Sequence, residues 1–143
     1  MKISKRIGIV GNGFVGSAVR YGFSPNVGID AEVKVYDKDP NKSTHALRDV
    51  LDSDVIFLSV PTPSNSDGSM SVDIVDDALK NINEYAQLFQ VGVILLRSTV
   101  TPGTTRKLQE KYPHLRIVFN PEFLTERSAN FDFINQSRFI LGG

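Results

Sequence analysis

Ile7-Gly8-Ile9-Val10-Gly11-Asn12-Gly13-Phe14-Val15-Gly16 is the stretch that decides the fold. A short apolar run meets three glycines in the spacing Gly-x-Gly-x-x-Gly, and a helix-compatible segment, Phe14–Phe23, follows. The glycines do different work. Gly11 permits a tight turn, Gly13 lets backbone come close to a pyrophosphate, and Gly16 lets the helix pack against the strand. The helix start offers N–H donors to phosphate. By itself this spacing is a weak signal, so the rest of the chain has to supply the context.

Asp37 supplies the first part. It ends a second β-rich run, Glu32–Tyr36, about 20 residues beyond the glycines, where a βαβ nucleotide unit places its ribose-binding acid. A carboxylate there accepts hydrogen bonds from both adenosine ribose hydroxyls and repels a 2′-phosphate, which favours NAD over NADP. Lys38 and Lys42 keep NADP as an alternative, and a glycine turn with a merely capping aspartate is the plain structural reading.

Beyond this point β-rich and helix-like runs alternate, the pattern of a parallel sheet with crossover helices. Expected strands are Arg6–Val10, Glu32–Tyr36, Asp54–Val60, Gly92–Arg97, Arg116–Phe119 and Arg138–Leu141. They are mostly continuous apolar runs, as in strands covered on both faces. Expected helices are Phe14–Phe23, Thr44–Leu51, Ile74–Phe89, Thr104–Lys111 and a turn near Glu126–Phe131. In the third, Val75, Ala78, Leu79, Ile82, Ala86 and Phe89 make one apolar stripe. Ser71 or Asp73 is its expected cap, with Asp73, Asp76 and Asp77 at the positive end of its dipole. The expected fold is therefore α/β: a Rossmann-type, doubly wound, mainly parallel six-stranded sheet with helices on both faces.

Composition narrows the function. The 143 residues make one domain's worth of chain. Lys and Arg (16) balance Asp and Glu (16), which argues against nucleic-acid or membrane-surface partners. With no cysteine, disulfides, thiolate metal sites and a thiol nucleophile within these residues are excluded, in keeping with a cytoplasmic location. No run of about 18 apolar residues occurs, so no membrane span is expected. Met1–Arg6 carries charge but leads into no apolar segment of the secretory type. His45 and His114 have no spacing that pairs them as metal ligands, and no metal site is expected.

Three further segments fall at expected strand carboxyl ends, where a doubly wound sheet binds its ligand. Val60-Pro61-Thr62-Pro63 either walls the adenosine or pyrophosphate or simply ends its strand. Ser98 and Thr99, before Val100-Thr101-Pro102-Gly103-Thr104, either line a nicotinamide site or cap the next helix. In Asn120-Pro121-Glu122-Phe123-Leu124-Thr125-Glu126 the two carboxylates share a helical face. They suit a division between proton transfer and cofactor contact, or are two solvated surface acids. Ser64-Asn65-Ser66-Asp67-Gly68-Ser69 has turn chemistry throughout and is expected to be the most flexible stretch, either a lid or an ordinary surface loop.

Taken together the segments resemble the NAD-binding domain of the UDP-glucose/GDP-mannose dehydrogenase family over essentially the whole chain. That family's glycine loop reads Gly-x-Gly-Tyr-Val-Gly, with Phe14 standing for Tyr here. Val-Pro-Thr-Pro, Ser-Thr-Val-x-Pro-Gly-Thr and Asn-Pro-Glu-Phe-Leu match directly, and Phe131-Asp132-Phe133 with Arg138–Gly143 is also similar. The resemblance implies oxidation of a nucleotide sugar's C6 alcohol to a carboxylate with two NAD, a UDP-sugar or GDP-mannose being the substrate. It implies that Gly11, Asn12, Gly13, Phe14, Val15 and Gly16 hold the pyrophosphate region. Asp37 and Lys42 would serve the adenosine ribose, and Val60, Pro61, Thr62, Ser98 and Thr99 the path to the nicotinamide. Glu122 would be the general acid/base, Thr99 would orient a water or the substrate oxygen, and Glu126 would contact NAD near the reacting centre.

Three departures from the family pattern stand out. Arg127 replaces the usual Gly after the second Glu. The stretch from Asp37 to Asp54 is much shorter than usual, so a strand or helix is expected to be missing or reduced. The family's cysteine nucleophile, with its Lys and Asn, lies in central and C-terminal substrate domains that residues 1–143 do not include. These residues are therefore expected to be a single NAD-binding domain, with the missing C-terminal domains or a second copy in a homodimer as its expected partners. The competing readings are a stand-alone NAD-binding module without catalysis and an enzyme like the β-hydroxyacid dehydrogenases.

Overall fold

The computed structural model describes residues 5–23, 31–121 and 141–142. Within them five parallel strands form one sheet: β1 (Lys5–Val10), β2 (Ala31–Tyr36), β3 (Val55–Leu58), β4 (Val93–Leu96) and β5 (Ile117–Phe119), in the order β2-β1-β3-β4-β5. The helices are α1 (Phe14–Gly22), α2 (Leu47–Leu51), α3 (Asp73–Ala86) and α4 (Thr104–Lys111), with a 3-10 turn at Pro40–Lys42.

The continuous apolar runs are explained by period two. Ile56, Leu58, Ile94 and Leu96 pack on one face with Val50, Leu51, Val75, Leu79, Ile82 and Leu108, which come from α2, α3 and α4. Phe57 and Leu95 point to the other face and meet Ile7, Ile9, Ala18 and Val19, the last two from α1. The central strands β3 and β4 are thus buried on both sides. On α3 the fully buried residues are Val75, Leu79 and Ile82, three to four apart. Each such side chain contributes about 1.5–3 kcal/mol by burial.

Among the described residues five of the six expected strands form the sheet, and the sixth, Arg138–Leu141, lies mostly outside them. At the β5 edge, residues 138–140 lie outside the described residues, but Gly142 makes an antiparallel bridge to Phe119, with N–H···O distances of 2.5 and 2.8 Å. At the β2 edge the short 37–54 connection holds only the 3-10 turn and five-residue α2. The order 2-1-3-4-5 results, with its switch point between β1 and β3.

Hydroxyl side chains close the bare β2 edge. Thr44 Oγ1 accepts from the Val35 N–H (2.9 Å), and the Thr44 and His45 N–H groups donate to the Val35 carbonyl (2.9 and 3.1 Å). Ser43 Oγ accepts from the Asp37 N–H (2.8 Å) and donates to its carbonyl (2.9 Å). At Val35 and Asp37 a segment of three residues does the hydrogen bonding a further strand would do.

The strand and helix limits otherwise fall within a few residues of expectation. α3 ends at Ala86, with Leu88 and Phe89 turning back onto the Tyr85 carbonyl. Neither expected cap closes it: Val72 occupies the cap position, and the Asp73 N–H reaches Ser71 Oγ only at 3.4 Å. The expected turn near Glu126–Phe131 lies outside the described residues.

Candidate functional site

Parallel register brings five strand ends to one rim. The Gly11 N–H donates to the Tyr36 carbonyl (2.8 Å), Ser59 to Val10 (2.8 Å), Arg97 to Leu58 (2.9 Å) and Asn120 to Leu96 (2.9 Å). Each of these bonds lies just past a strand's last residue. They put the glycine turn, Asp37, Val60, Ser98 and Asn120 along the carboxyl edge, where open α/β sheets bind ligands.

The three glycines have three distinct surroundings. Gly11 sits at φ +95°, and a Cβ there would lie 2.2 Å from the Ser59 carbonyl oxygen. A Cβ on Gly16 would lie 1.8 Å from the Gly11 carbonyl oxygen. Both glycines are therefore required by the fold. Gly13 is different: its backbone is extended, and a Cβ would meet nothing within 4 Å. Among the described residues nothing fills the space beside Gly13, and it opens at the N-terminus of α1, which has no side-chain cap hydrogen bond. An extended backbone with bare N–H donors next to it suits a pyrophosphate. Phe14 and Val15 begin α1, and their side chains lie outside the described part.

Asp37 is joined to that turn. Its Oδ2 accepts from the Asn12 N–H and its Oδ1 from the Asp39 N–H, both at 2.8 Å. Burial opposes its charge, but these two donors and the nearby Lys42 cation outweigh it and hold the carboxyl below the ordinary range. One N–H on each oxygen leaves acceptor capacity on both for a pair of vicinal hydroxyls. Asn12 spends its side chain on the protein itself: Nδ2 donates to the Lys42 carbonyl and Oδ1 accepts from Ser17 Oγ, both at 2.9 Å. It ties the glycine turn to α1 and to the short connector.

At the other end of the rim Ser98 is 6% exposed. Its hydroxyl accepts from the Val60 N–H (3.0 Å) and donates to the Val60 carbonyl (2.7 Å). The Ser98 proton is thus used to join β3 to β4, while Thr99 next to it is exposed. Thr62 is half-buried between the exposed Pro61 and Pro63. Ser64–Ser69, the expected lid or loop, forms a closed hairpin with Met70 bridged to Ser64: Asn65 and Ser69 are bonded through backbone and side chains, Asp67 accepts from Ser69, and Gly68 sits at φ +87°. Glu122, Glu126 and Arg127 lie outside the described residues.

Two buried polar residues escaped the sequence reading. Arg97, 1% exposed, donates through Nη1 to Oδ1 of the fully buried Asn120, and its Cζ lies 5.9 Å from the Phe57 ring centroid. A charge ending an apolar run normally reads as the strand leaving the core. The one available signal was its place between that run and two hydroxyls. No group of three metal-ligating side chains exists among the described residues, and no helix among them is long and apolar enough to cross a membrane.

The sequence profile of the UDP-glucose/GDP-mannose dehydrogenase family, NAD binding domain, matches residues 41–143. The chain belongs to this family. The matched unit makes NAD the cofactor of these residues, and the open cradle at Gly13 and the two half-used oxygens of Asp37 fit it. Among relatives, UDP-glucose 6-dehydrogenase AglM of Haloferax volcanii is 28% identical over 95% of this chain and 40% of its own length. An uncharacterized protein of Methanocaldococcus jannaschii is 34% identical over 95% of this chain and 18% of its own. The UDP-glucose dehydrogenase structure from Pyrobaculum islandicum superposes with a TM-score of 0.81 at 23% identity, covering 98% of this chain and 41% of that one; its likeness is one of fold. The chain spans less than half the length of each of these relatives. The M. jannaschii alignment runs over 165 residues although this chain has 143, so the relative carries extra residues inside the shared span.

Proposed function

We propose that this chain is the NAD-holding part of a cytoplasmic nucleotide-sugar 6-dehydrogenase, which oxidises the C6 alcohol of a UDP-sugar or GDP-mannose to the carboxylate in two steps. NAD, when bound, supplies the hydride acceptor. The chain's own residues bind and orient it. Asp37 receives the adenosine ribose hydroxyls with Lys42 beside it, and the glycine turn, Gly11 to Gly16 with Asn12 as its brace, receives the pyrophosphate. Val60, Pro61 and Thr62 wall the middle of the rim. Ser98 fixes Val60, and Thr99 offers its hydroxyl toward the reacting end. Glu122 moves the proton as general acid/base and Glu126 contacts the cofactor. The observation that carries this reading is Asp37, hydrogen-bonded to the glycine turn at the switch point in a chain of this family.

The family's covalent route needs a thiolate. With no cysteine in the 143 residues, that thiolate and the grip on the sugar nucleotide come from outside them, from the family's substrate domains or from a different partner chain. Calorimetric titration of the chain with NAD, with NADP alongside, tests the cofactor half: saturable NAD binding with weaker NADP is expected, and equal affinities would remove Asp37 from its role. The catalytic half is tested by Glu122→Gln in an assembly with the family's substrate domains. NAD affinity is expected to stay and turnover to vanish, and a normal rate would dismiss Glu122 as the acid/base.

A further inference from the structure

Asn12 makes more hydrogen bonds than its place in a turn requires. It sits half-buried between Gly11 and Gly13. Its N–H holds Asp37 Oδ2 at 2.8 Å. Its side-chain Nδ2 donates to the Lys42 carbonyl and its Oδ1 accepts from Ser17 Oγ, both at 2.9 Å. One residue therefore touches the ribose acid, the lysine beside that acid, and α1.

The bond to Lys42 is the informative one. Lys42 ends the 3-10 turn Pro40–Lys42, which buries no side chain, so hydrogen bonds rather than apolar burial seat it. Ser43 Oγ bonds the Asp37 N–H and carbonyl, and Asp39 accepts from the Asn41 N–H. These bonds fix the turn to its own strand, β2. The bond from Asn12 Nδ2 instead spans 30 residues and reaches the turn from the loop after β1. It sets where Lys42 lies relative to the glycine turn. At so exposed a place such a bond adds little stability, because water replaces a lost partner.

The two groups that Asn12 joins act oppositely on a nucleotide. The Asp37 carboxylate accepts from ribose hydroxyls and repels a 2′-phosphate, whereas the Lys42 ammonium attracts one. Coulomb interaction falls with distance, so the balance depends on how close the lysine is kept to the acid.

We propose that Asn12 is the positioning residue for cofactor choice: with its N–H on Asp37 and its amide on Lys42, it keeps lysine and acid side by side, so that the pair receives a ribose with two free hydroxyls and turns away a 2′-phosphate. This rests on the reading of Asp37 as the ribose acid.

The test titrates the full 143-residue chain with NAD and with NADP by calorimetry. The parent chain is expected to bind NAD more tightly. Asn12→Ala should lower the ratio of the NADP to the NAD dissociation constant roughly two- to tenfold, the range of one hydrogen bond's net contribution. Asn12→Gln, which keeps the amide on a longer arm, should restore part of that ratio. In a Lys42→Met background Asn12→Ala should move the ratio no further, because the lysine it acts through is gone. In the free chain the Ser43 amide resonance should shift in Asn12→Ala, since the Lys42 carbonyl before it loses a donor.

A turn that is merely loosened would weaken both nucleotides alike. An unchanged ratio in Asn12→Ala therefore overturns the proposal, as does an equal shift with and without Lys42 or an unmoved Ser43 resonance. If Asn12→Ala does not fold, Asn12→Ser, too short to reach the Lys42 carbonyl, takes its place, and the parental ratio there overturns the proposal equally. A parent chain that binds neither nucleotide, or both alike, overturns the reading of Asp37 and the proposal together. A parent that prefers NAD, with the same preference in the variant, overturns the role of Asn12 alone.

Discussion

The two wings of the sheet on either side of β1 are built by different means. On one side stand β3, β4 and β5, joined by backbone ladders and covered by α3 and α4. On the other side stands β2 alone, its outer groups at Val35 and Asp37 satisfied by Ser43, Thr44 and His45. The difference shows what each end of a dinucleotide needs. On the function proposed above, the adenosine ribose requires one strand end and an acid, so this wing can be cut down to a strand sealed by hydroxyls. On the same reading the reacting end gathers side chains from three strand ends, so β3, β4 and β5 must all be held in register.

The sharpest way to break the comparison is at the hinge between the wings. Gly16→Ala would press a methyl against the Gly11 carbonyl and is expected to unfold the turn, costing about 3 kcal/mol or more, as buried overpacking does. Gly13→Ala, with open space around it, should cost at most about 1 kcal/mol yet weaken NAD at least tenfold. Urea denaturation and calorimetry on both variants separate fold from site, and equal stability losses would show that Gly13 also serves packing.

In the full wing, Leu79→Ala should cost about 2–5 kcal/mol, visible as a lower urea midpoint. In the cut-down wing, Thr44→Val removes the acceptor of the buried Val35 N–H at nearly constant shape, and about 1–3 kcal/mol should be lost. A neutral Thr44→Val would mean that the edge is sealed by backbone alone. Asp37→Ala removes charge-assisted acceptors worth about 1.5–3 kcal/mol, so NAD affinity should fall at least tenfold and the preference over NADP should disappear.

The smallest effect is the acid limb. Asp37 has its folded pKa held below the unfolded value of about 3.9. Its contribution to stability is therefore complete above the unfolded pKa and is lost as pH falls through the folded one. Asp76 behaves alike: burial opposes its charge, but Lys111 and Tyr112 donate to it at 2.6 and 2.7 Å and hold it low. Stability should be flat from about pH 5 to 8 with respect to both groups. A midpoint that drops between pH 7 and 5 would point to a different titrating group.

Much of this was legible in the chain itself. The three glycines with Asp37, the continuous apolar strands and the stripe of α3 are local patterns, and each reports its own neighbourhood whatever the rest of the molecule does. The short stretch after Asp37 likewise announced a reduced element, and the structure has a 3-10 turn and the five-residue α2 there. The lid-or-loop segment Ser64–Ser69 and the caps of α3 were less legible, because turn residues and acids state that a chain bends or starts a helix but not which bond they choose.

The sequence by itself determined the class of fold, the family's cofactor and the stretches of chain that become strands. Only the tertiary structure decided that Ser98 spends its hydroxyl on Val60, that Thr44 seals β2, and that Arg97 turns inward to Asn120 rather than out to water. In each case the partners lie apart in sequence and become neighbours only when strand order and register are set. A polar side chain's role is fixed by the donors and acceptors that register brings within about 3 Å, and no local pattern carries that information.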